Sequence, residues 1–283
     1  MHSRLRLAIQ RQPDNTTCGP TCLHAIYTYY GEQVALEQII KETRKLDEGG
    51  TYAVLLGCHA LAKGYDVEVY TWNLQVFDPT WFQLAPAAMR ERLAKRRRLK
   101  TNHKLLGAID AYLEFMDAGG EVHFEDLTTA LIRKHLTKGV PILSGLSSTY
   151  LYRAMREYGA AMEDDDVRGE PQGHFVVLCG YDREDRTVLV ADPLHPNMAF
   201  QGLQYVVEID RLVCSILLGI LTHDADLLII KPKGHGRDDA AAHGGEHAGV
   251  PRLGLTGGGE RDDASEHRGR NESAGERGQT WRS

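Results

Sequence analysis

The hydrophobic period of this 283-residue chain shifts near residue 140 from mainly helical to mainly that of strands, and that shift limits the fold more than any single motif. Before it, apolar residues recur at helical spacing: Leu23, Ile26, Tyr27 and Tyr30, then Leu36, Ile39 and Ile40, then Val54, Leu55, Cys58 and Leu61. Helices are expected from Cys18 to about Tyr30, then over 35–46, 52–62, 85–100, 103–120 and 126–139, the last capped by Asp126. Residues 4–10 read as a short edge strand, 66–72 as a strand, and EVHF at 121–124 as a shorter one. After residue 140 the pattern is that of strands: 140–147, 174–182, 187–192, 205–209 and 226–232, with a short helix expected over 149–159. Helices followed by an antiparallel sheet make an α+β fold. The expected domain covers 1–232, with a helical lobe at about 12–138 and a sheet lobe at about 140–232.

Residues 233–283 are rich in Gly, Asp, Glu, Arg, Ala and His, nearly free of aromatics and without periodicity. Such a composition buries too little apolar surface to fold, so a disordered tail is expected. Its histidines, His235, His243, His247 and His267, are loosely spaced with no cysteine among them, which does not make a metal site. No cofactor is expected elsewhere.

Charge narrows the partners. Thirty-three Lys and Arg against 39 Asp and Glu leave a net charge of −6, which argues against nucleic acid. The run KRRRLK at 95–100 reads as a solvated helix face. The most apolar stretch, LVCSILLGIL at 212–221, is far shorter than the roughly 20 residues a membrane span needs. The N-terminus has too short an apolar run for a signal peptide. Five scattered cysteines form no disulfide framework. A soluble, cytoplasmic protein is expected; the oligomeric state is not legible.

Within this frame, residues 12–31 (QPDNTTCGPTCLHAIYTYYG) carry the chemistry. Asp14, Asn15, Thr16 and Thr17 are all capping types, and Pro20 suits a first helical turn. Cys18 therefore stands at a helix start, where unpaired N–H groups and the macrodipole favour a thiolate. A thiol of pKa about 8.5 can fall to roughly 3.5–7.5 in such a place. Cys18 is also open to a structural reading, since free cysteine is usually buried. Cys22, one turn later on the apolar stripe, suits that role better.

A thiolate nucleophile needs a base and a group to orient it. His174 opens a strongly apolar strand after the turn sequence EPQG, and Asp192 closes the next strand before Pro193. If the two strands pair as a hairpin with His174 opposite Asp192, the carboxylate accepts from one imidazole nitrogen and the other faces the thiol. Gln12, six residues before Cys18, could aim an amide N–H at a developing oxyanion together with the Cys18 backbone N–H, although a glutamine in a polar loop carries no signal alone.

The Gln12–Cys18 spacing, the strings TCGPTCLHAIYTYYG and GHFVVLCGYD, and the closing VADP resemble the papain-like cysteine peptidases, in particular the bacteriocin-processing, double-glycine leader peptidases and their stand-alone relatives. The similarity covers roughly residues 8–200. It implies Cys18 as nucleophile, His174 as base and acid, Asp192 as its orienter, Gln12 as oxyanion donor, and a peptide or peptide-like substrate. It also implies a helical lobe carrying the cysteine packed on an antiparallel sheet carrying the histidine and aspartate. The family's best-known members are fused to membrane-spanning exporter and ATP-binding domains, neither of which is expected within these 283 residues. A helical section at about 80–138 and an insert at 148–173, immediately before the base, also depart from the family pattern.

Three further readings stay open on sequence alone. The same triad could transfer an acyl or peptidyl group to an amine or thiol. The fold could be a non-catalytic peptide-binding module. A metal or redox role for Cys18 and Cys22 would have to use a C-x3-C spacing that is neither a redox CxxC nor a zinc knuckle.

Overall fold

The segments Gly173–Asp182 and Asp226–Pro232 are buried along nearly their whole length, which a sheet tolerates only when helices cover both of its faces. A computed structural model describes residues 2–46, 49–159, 161–197 and 199–234. In chain order its elements are β1 (His2–Arg4), α1 (Cys18–Tyr29), α2 (Leu36–Glu42), α3 (Ala53–Ala62), β2 (Tyr65–Thr71), α4 (Pro86–Arg98), α5 (His103–Asp117), β3 (Glu121–His123), α6 (Thr129–Leu136), β4 (Ile142–Ser147), α7 (Ser148–Tyr152), β5 (Glu157–Tyr158), β6 (Glu163–Asp164), β7 (Gly173–Asp182), β8 (Thr187–Ala191), β9 (Gln204–Glu208), α8 (Ile209–Leu218) and β10 (Asp226–Pro232). The expected tail, and the histidines within it, lie outside the described residues.

The main sheet runs β3-β2-β10-β4-β7-β8-β9, with β1 added beside β7. Every pairing in it is antiparallel except β2 with β3. The class is α+β, as the change of period implied. Strand β2 falls inside the stretch expected as a helical lobe, yet it pairs with β10, the last strand, and so belongs to the same sheet.

Strand alternation sorts the core into two clusters. Val177, Cys179, Leu228 and Ile230 face one, with Leu23 and Ile26 of α1, Leu56 of α3 and Ile109 of α5. Val176, Leu178, Leu227 and Ile229 face the other, with Ile132 and Leu136 of α6 and Leu212 and Ile216 of α8. Helices thus cover both faces of the sheet, where one helical lobe on one sheet was expected. The reason is that β4, β7 and β10 are apolar at odd and even positions alike.

Several boundaries differ from the sequence reading, each for a local reason. The N-terminal strand ends at Arg4 rather than continuing to residue 10; only the Leu5 N–H continues its pairing, donating to the Cys179 carbonyl. Helix α2 stops at Glu42, where the Thr43 hydroxyl turns back onto the Ile39 carbonyl. Helix α6 is capped by Thr128, whose Oγ1 accepts from the Leu131 N–H, and not by Asp126. Helix α7 ends at Tyr152 because Arg153 takes a left-handed backbone, φ 55°, and the chain then forms the small β5–β6 pair instead of more helix. The basic helix α4 lies against α5, its Arg90 and Arg97 paired with Asp117 and Asp110.

Candidate active site

Cys18 is the first residue of α1, as its Gly-Pro context implied, but the cap is different. Thr17 makes no side-chain cap. Asp14 instead bends the preceding loop on itself, accepting from the Thr16 N–H at 2.8 Å and the Thr16 hydroxyl at 2.7 Å. Gly19 brings this helix end close to the sheet. A Cβ there would lie 3.0 Å from Leu56 and from Thr51 and 3.2 Å from Phe175, the neighbour of His174. Cys22, fully buried one turn on, donates its S–H to the Phe175 carbonyl at 3.2 Å, and burial pushes its pKa well up. It fills the structural role.

His174 lies at the start of β7, paired with Leu146 of β4. Its Nε2–H donates to Asp192 Oδ1 at 2.8 Å, and the Cys18 thiol is in hydrogen-bonding contact with the same ring. Burial works against the charged imidazolium, but the charges of Asp192 and Cys18, with the hydrogen bonds to both, raise its pKa to about 10. Of the four sequence candidates, the structure therefore brings Cys18, His174 and Asp192 into one contiguous chain of contacts.

The pairing that achieves this is not the expected one. The observed register sets Val177 against Ala191, so Asp192, the next residue, falls opposite Val176 and not His174. The two side chains meet as diagonal neighbours on one face, two residues apart along β7. An irregularity between Leu178 and Gly180 shifts the register toward the turn end of this hairpin.

Asp192 has no exposed surface, yet its charge is fully met. Oδ1 accepts from His174 and from the Leu194 N–H at 2.9 Å. Oδ2 accepts from the Tyr152 hydroxyl at 2.7 Å, the Tyr205 hydroxyl at 2.5 Å and Asn197 Nδ2 at 3.4 Å. Burial alone would raise its pKa; the His174 charge and the hydrogen bonds from His174, Tyr205 and Tyr152 hold it below the ordinary aspartate value. The two tyrosines were missed in the sequence. Tyr205 pairs with Val190, so it shares the face of Asp192, where a buried carboxylate must find donors, but that pairing is visible only in the folded sheet.

Gln12 is buried on the loop leading to Cys18. Its backbone N–H donates to the Pro193 carbonyl at 2.9 Å, which ties that loop to the residue after Asp192. One amide N–H donates to the Asp14 carbonyl at 2.9 Å; the other is free of that contact, and Oε1 is buried without a partner.

The glycine before the histidine is required by packing. A Cβ on Gly173 would stand 1.8 Å from Asp224 Oδ2 and 2.7 Å from Thr222 Oγ1. Burial pushes the Asp224 carboxyl up to about 8, so it is a compact, largely neutral plug against the start of β7. Gly173→Ala is expected to lower stability by about 1–3 kcal/mol and to displace His174. A denaturant titration read beside Cys18 alkylation checks both; an unchanged midpoint with unchanged reactivity would contradict the packing argument.

Comparison with known proteins adds two family likenesses, each over part of the chain. A model of the Peptidase C39 family matches residues 6–87, and one of the Peptidase C39 like family matches residues 99–205. Among solved structures, the chain is similar to a double glycine motif protease from an AMS/PCAT transporter, solved in complex with the leader peptide, at 14% identity and a TM-score of 0.40, covering 82% of this chain and 95% of that one. A C39-like peptidase from Bacillus anthracis matches at 13% identity and a TM-score of 0.42, covering 82% and 98%. Xylellain, a cysteine protease from Xylella fastidiosa, matches at 13% identity and a TM-score of 0.38, covering 82% and 85%. No curated protein matches.

Proposed function

We propose that this chain is a cysteine-type peptidase, similar to the Peptidase C39 and Peptidase C39 like families, and that it cleaves a peptide bond through a Cys18–His174–Asp192 triad and a thioester intermediate. The observation that carries the reading is the placement of one imidazole between the Cys18 thiol and a fully buried, ionised carboxylate. A histidine held as imidazolium at neutral pH beside a thiol is the resting state a cysteine nucleophile needs.

In this reading the Cys18 sulfur attacks the carbonyl carbon. The oxyanion is held by the Cys18 backbone N–H and the second N–H of Gln12. The imidazolium then gives its proton to the leaving amine as the C–N bond breaks, leaving the acyl group on sulfur. Neutral His174 next takes a proton from water, whose oxygen displaces the thiolate and releases the acid. Asp192 accepts from Nε2–H throughout, which keeps Nδ1 turned to the sulfur.

The substrate is read as a peptide from the family alone. Among the described residues no helix is long and apolar enough to cross a membrane. Free thiols at all five cysteines support the cytoplasmic assignment.

Iodoacetamide tests the reading without a known substrate. Cys214 is the exposed cysteine and Cys18 a buried one, so accessibility alone favours Cys214. At about pH 6, preferential alkylation of Cys18, lost in His174→Ala, is the expected result. Preferential labelling of Cys214 in the wild type would sink the proposal.

A further inference from the structure

The carboxylate of Asp192 presents two oxygens to two different sets of groups. Oδ1 faces His174 and the backbone. Oδ2 faces phenols: the Tyr152 hydroxyl at 2.7 Å and the Tyr205 hydroxyl at 2.5 Å, with Asn197 farther off. These donors come from separate places. Tyr205 lies in β9, adjacent to the strand that Asp192 closes. Tyr152 ends the short helix α7, inside the insert that precedes the base.

The phenol rings are themselves fixed. Phe200 stacks flat on Tyr205, with ring centroids 3.7 Å apart and planes within 4°, and meets Tyr152 edge-on at 6.2 Å. Tyr152 in turn lies edge-on to the His174 ring at 6.1 Å. The left-handed residue Arg153 stops α7 directly after Tyr152, so the hydroxyl sits at the helix end rather than on a continuing helix.

Resting on the triad reading, we infer that Tyr152 and Tyr205 are positioning residues of this active site, and that the insert carrying Tyr152 is thereby part of the catalytic apparatus and not a surface addition. The physical argument concerns a buried anion. Asp192 has no exposed surface, so water cannot replace a missing donor at Oδ2. With both phenols present the carboxylate stays ionised and cannot rotate, because turning it would break contacts at both oxygens. With them absent, the ionised form loses donors and the carboxyl becomes easier to protonate. A protonated Asp192 no longer supports the His174 imidazolium, and the thiolate is lost with it. Neither tyrosine touches the reacting atoms; both act through Asp192.

The test uses the full chain and iodoacetamide, with Cys18 alkylation followed against pH by mass spectrometry. Tyr152→Phe and Tyr205→Phe keep the rings and remove only the hydroxyls. Each is expected to slow Cys18 alkylation near pH 6 severalfold. The double variant is expected to move the acidic midpoint up by about one pH unit, the size of shift that follows from losing hydrogen bonds to a charged group. In an Asp192→Asn background the same substitutions should no longer move the acidic midpoint, since the carboxylate whose ionisation they support is gone. Circular dichroism and a cooperative thermal transition establish that each variant is folded; should the double variant fail to fold, the two single variants decide. A folded variant with the wild-type midpoint and rate would overturn the inference. A wild-type Cys18 that is alkylated no faster than the exposed Cys214 near pH 6 would remove the triad reading and this inference together.

Discussion

Cys18→Ala is expected to abolish turnover, by on the order of 10⁴–10⁶-fold, while the fold stays intact. The residues of a triad act as a unit, so removing the nucleophile removes nearly all of the chemistry and leaves only what oxyanion donors and binding provide. Stability should change by less than about 1 kcal/mol, because the substitution trims one sulfur at a helix start whose packing is carried by Gly19, Cys22 and Leu23. The control is Cys22→Ala. That thiol is buried deeper and bonded to the Phe175 carbonyl, so its loss should cost about 1 kcal/mol of stability and leave the thiol chemistry at Cys18 in place. Peptide cleavage assayed beside thermal unfolding separates the two. Activity surviving in Cys18→Ala would refute the mechanism.

Asp192→Asn should lower kcat by on the order of 10²–10⁴-fold and change its pH dependence. The amide cannot satisfy both sides of its pocket as the carboxylate does. His174 Nε2–H and the Leu194 N–H donate on one side, and the phenols of Tyr152 and Tyr205 donate on the other. Turned with its NH₂ toward His174 and Leu194, the amide meets two donors. It must therefore face them with its oxygen and make the phenols accept instead of donate, and in either setting the negative charge beside the imidazolium is gone. The sign of the pH effect follows from His174. Burial lowers its pKa, and the Asp192 charge is the largest influence raising it, to about 10. Because the folded value lies above the unfolded one, the stability that His174 contributes is fully present below about pH 6.5 and is lost as pH climbs toward 10. Without the carboxylate that elevation collapses. The alkaline limb of kcat/KM is therefore expected to fall to lower pH in Asp192→Asn, and the stability difference from wild type should be largest in acid-to-neutral solution and shrink in alkali. An unchanged alkaline limb would show that Asp192 does not hold the imidazolium.

The position of Cys18 was legible because its determinants are local. A polar, turn-prone run, a Gly-Pro pair and an apolar stripe at helical spacing lie within twenty residues. The α+β class was legible for the same kind of reason, since helical and strand periods are read within single segments. His174 and Asp192 were legible as strand ends, but their contact was assigned to the wrong register. The irregularity between Leu178 and Gly180 depends on how β7 fits its neighbours, and nothing in either strand announces it.

Other features were not decided by any local signal. Helices cover both sheet faces because β4, β7 and β10, each apolar at odd and even positions, lie side by side, and while that apolarity is local the adjacency is not, since β10 and β4 pair residues more than eighty apart. Gly173 looked like a turn residue; its necessity comes from the Asp224 carboxyl packed against it from the far end of the domain. The donors to Asp192 come from Tyr152, forty residues before it, and Tyr205, thirteen after it, and tyrosine is too common a residue in helices and strands to single out either.

By itself, then, the sequence determined most of the elements, α8 and the β5–β6 pair excepted, together with the class and the three residue types of the candidate triad, because period, capping and turn chemistry act over a few residues. Only the tertiary structure decided which oxygen of Asp192 each partner takes, and that an insert supplies one of them. A buried charge must be met by whatever donors the packed chain brings within about 3 Å, and that set is a property of the assembled sheet and helices.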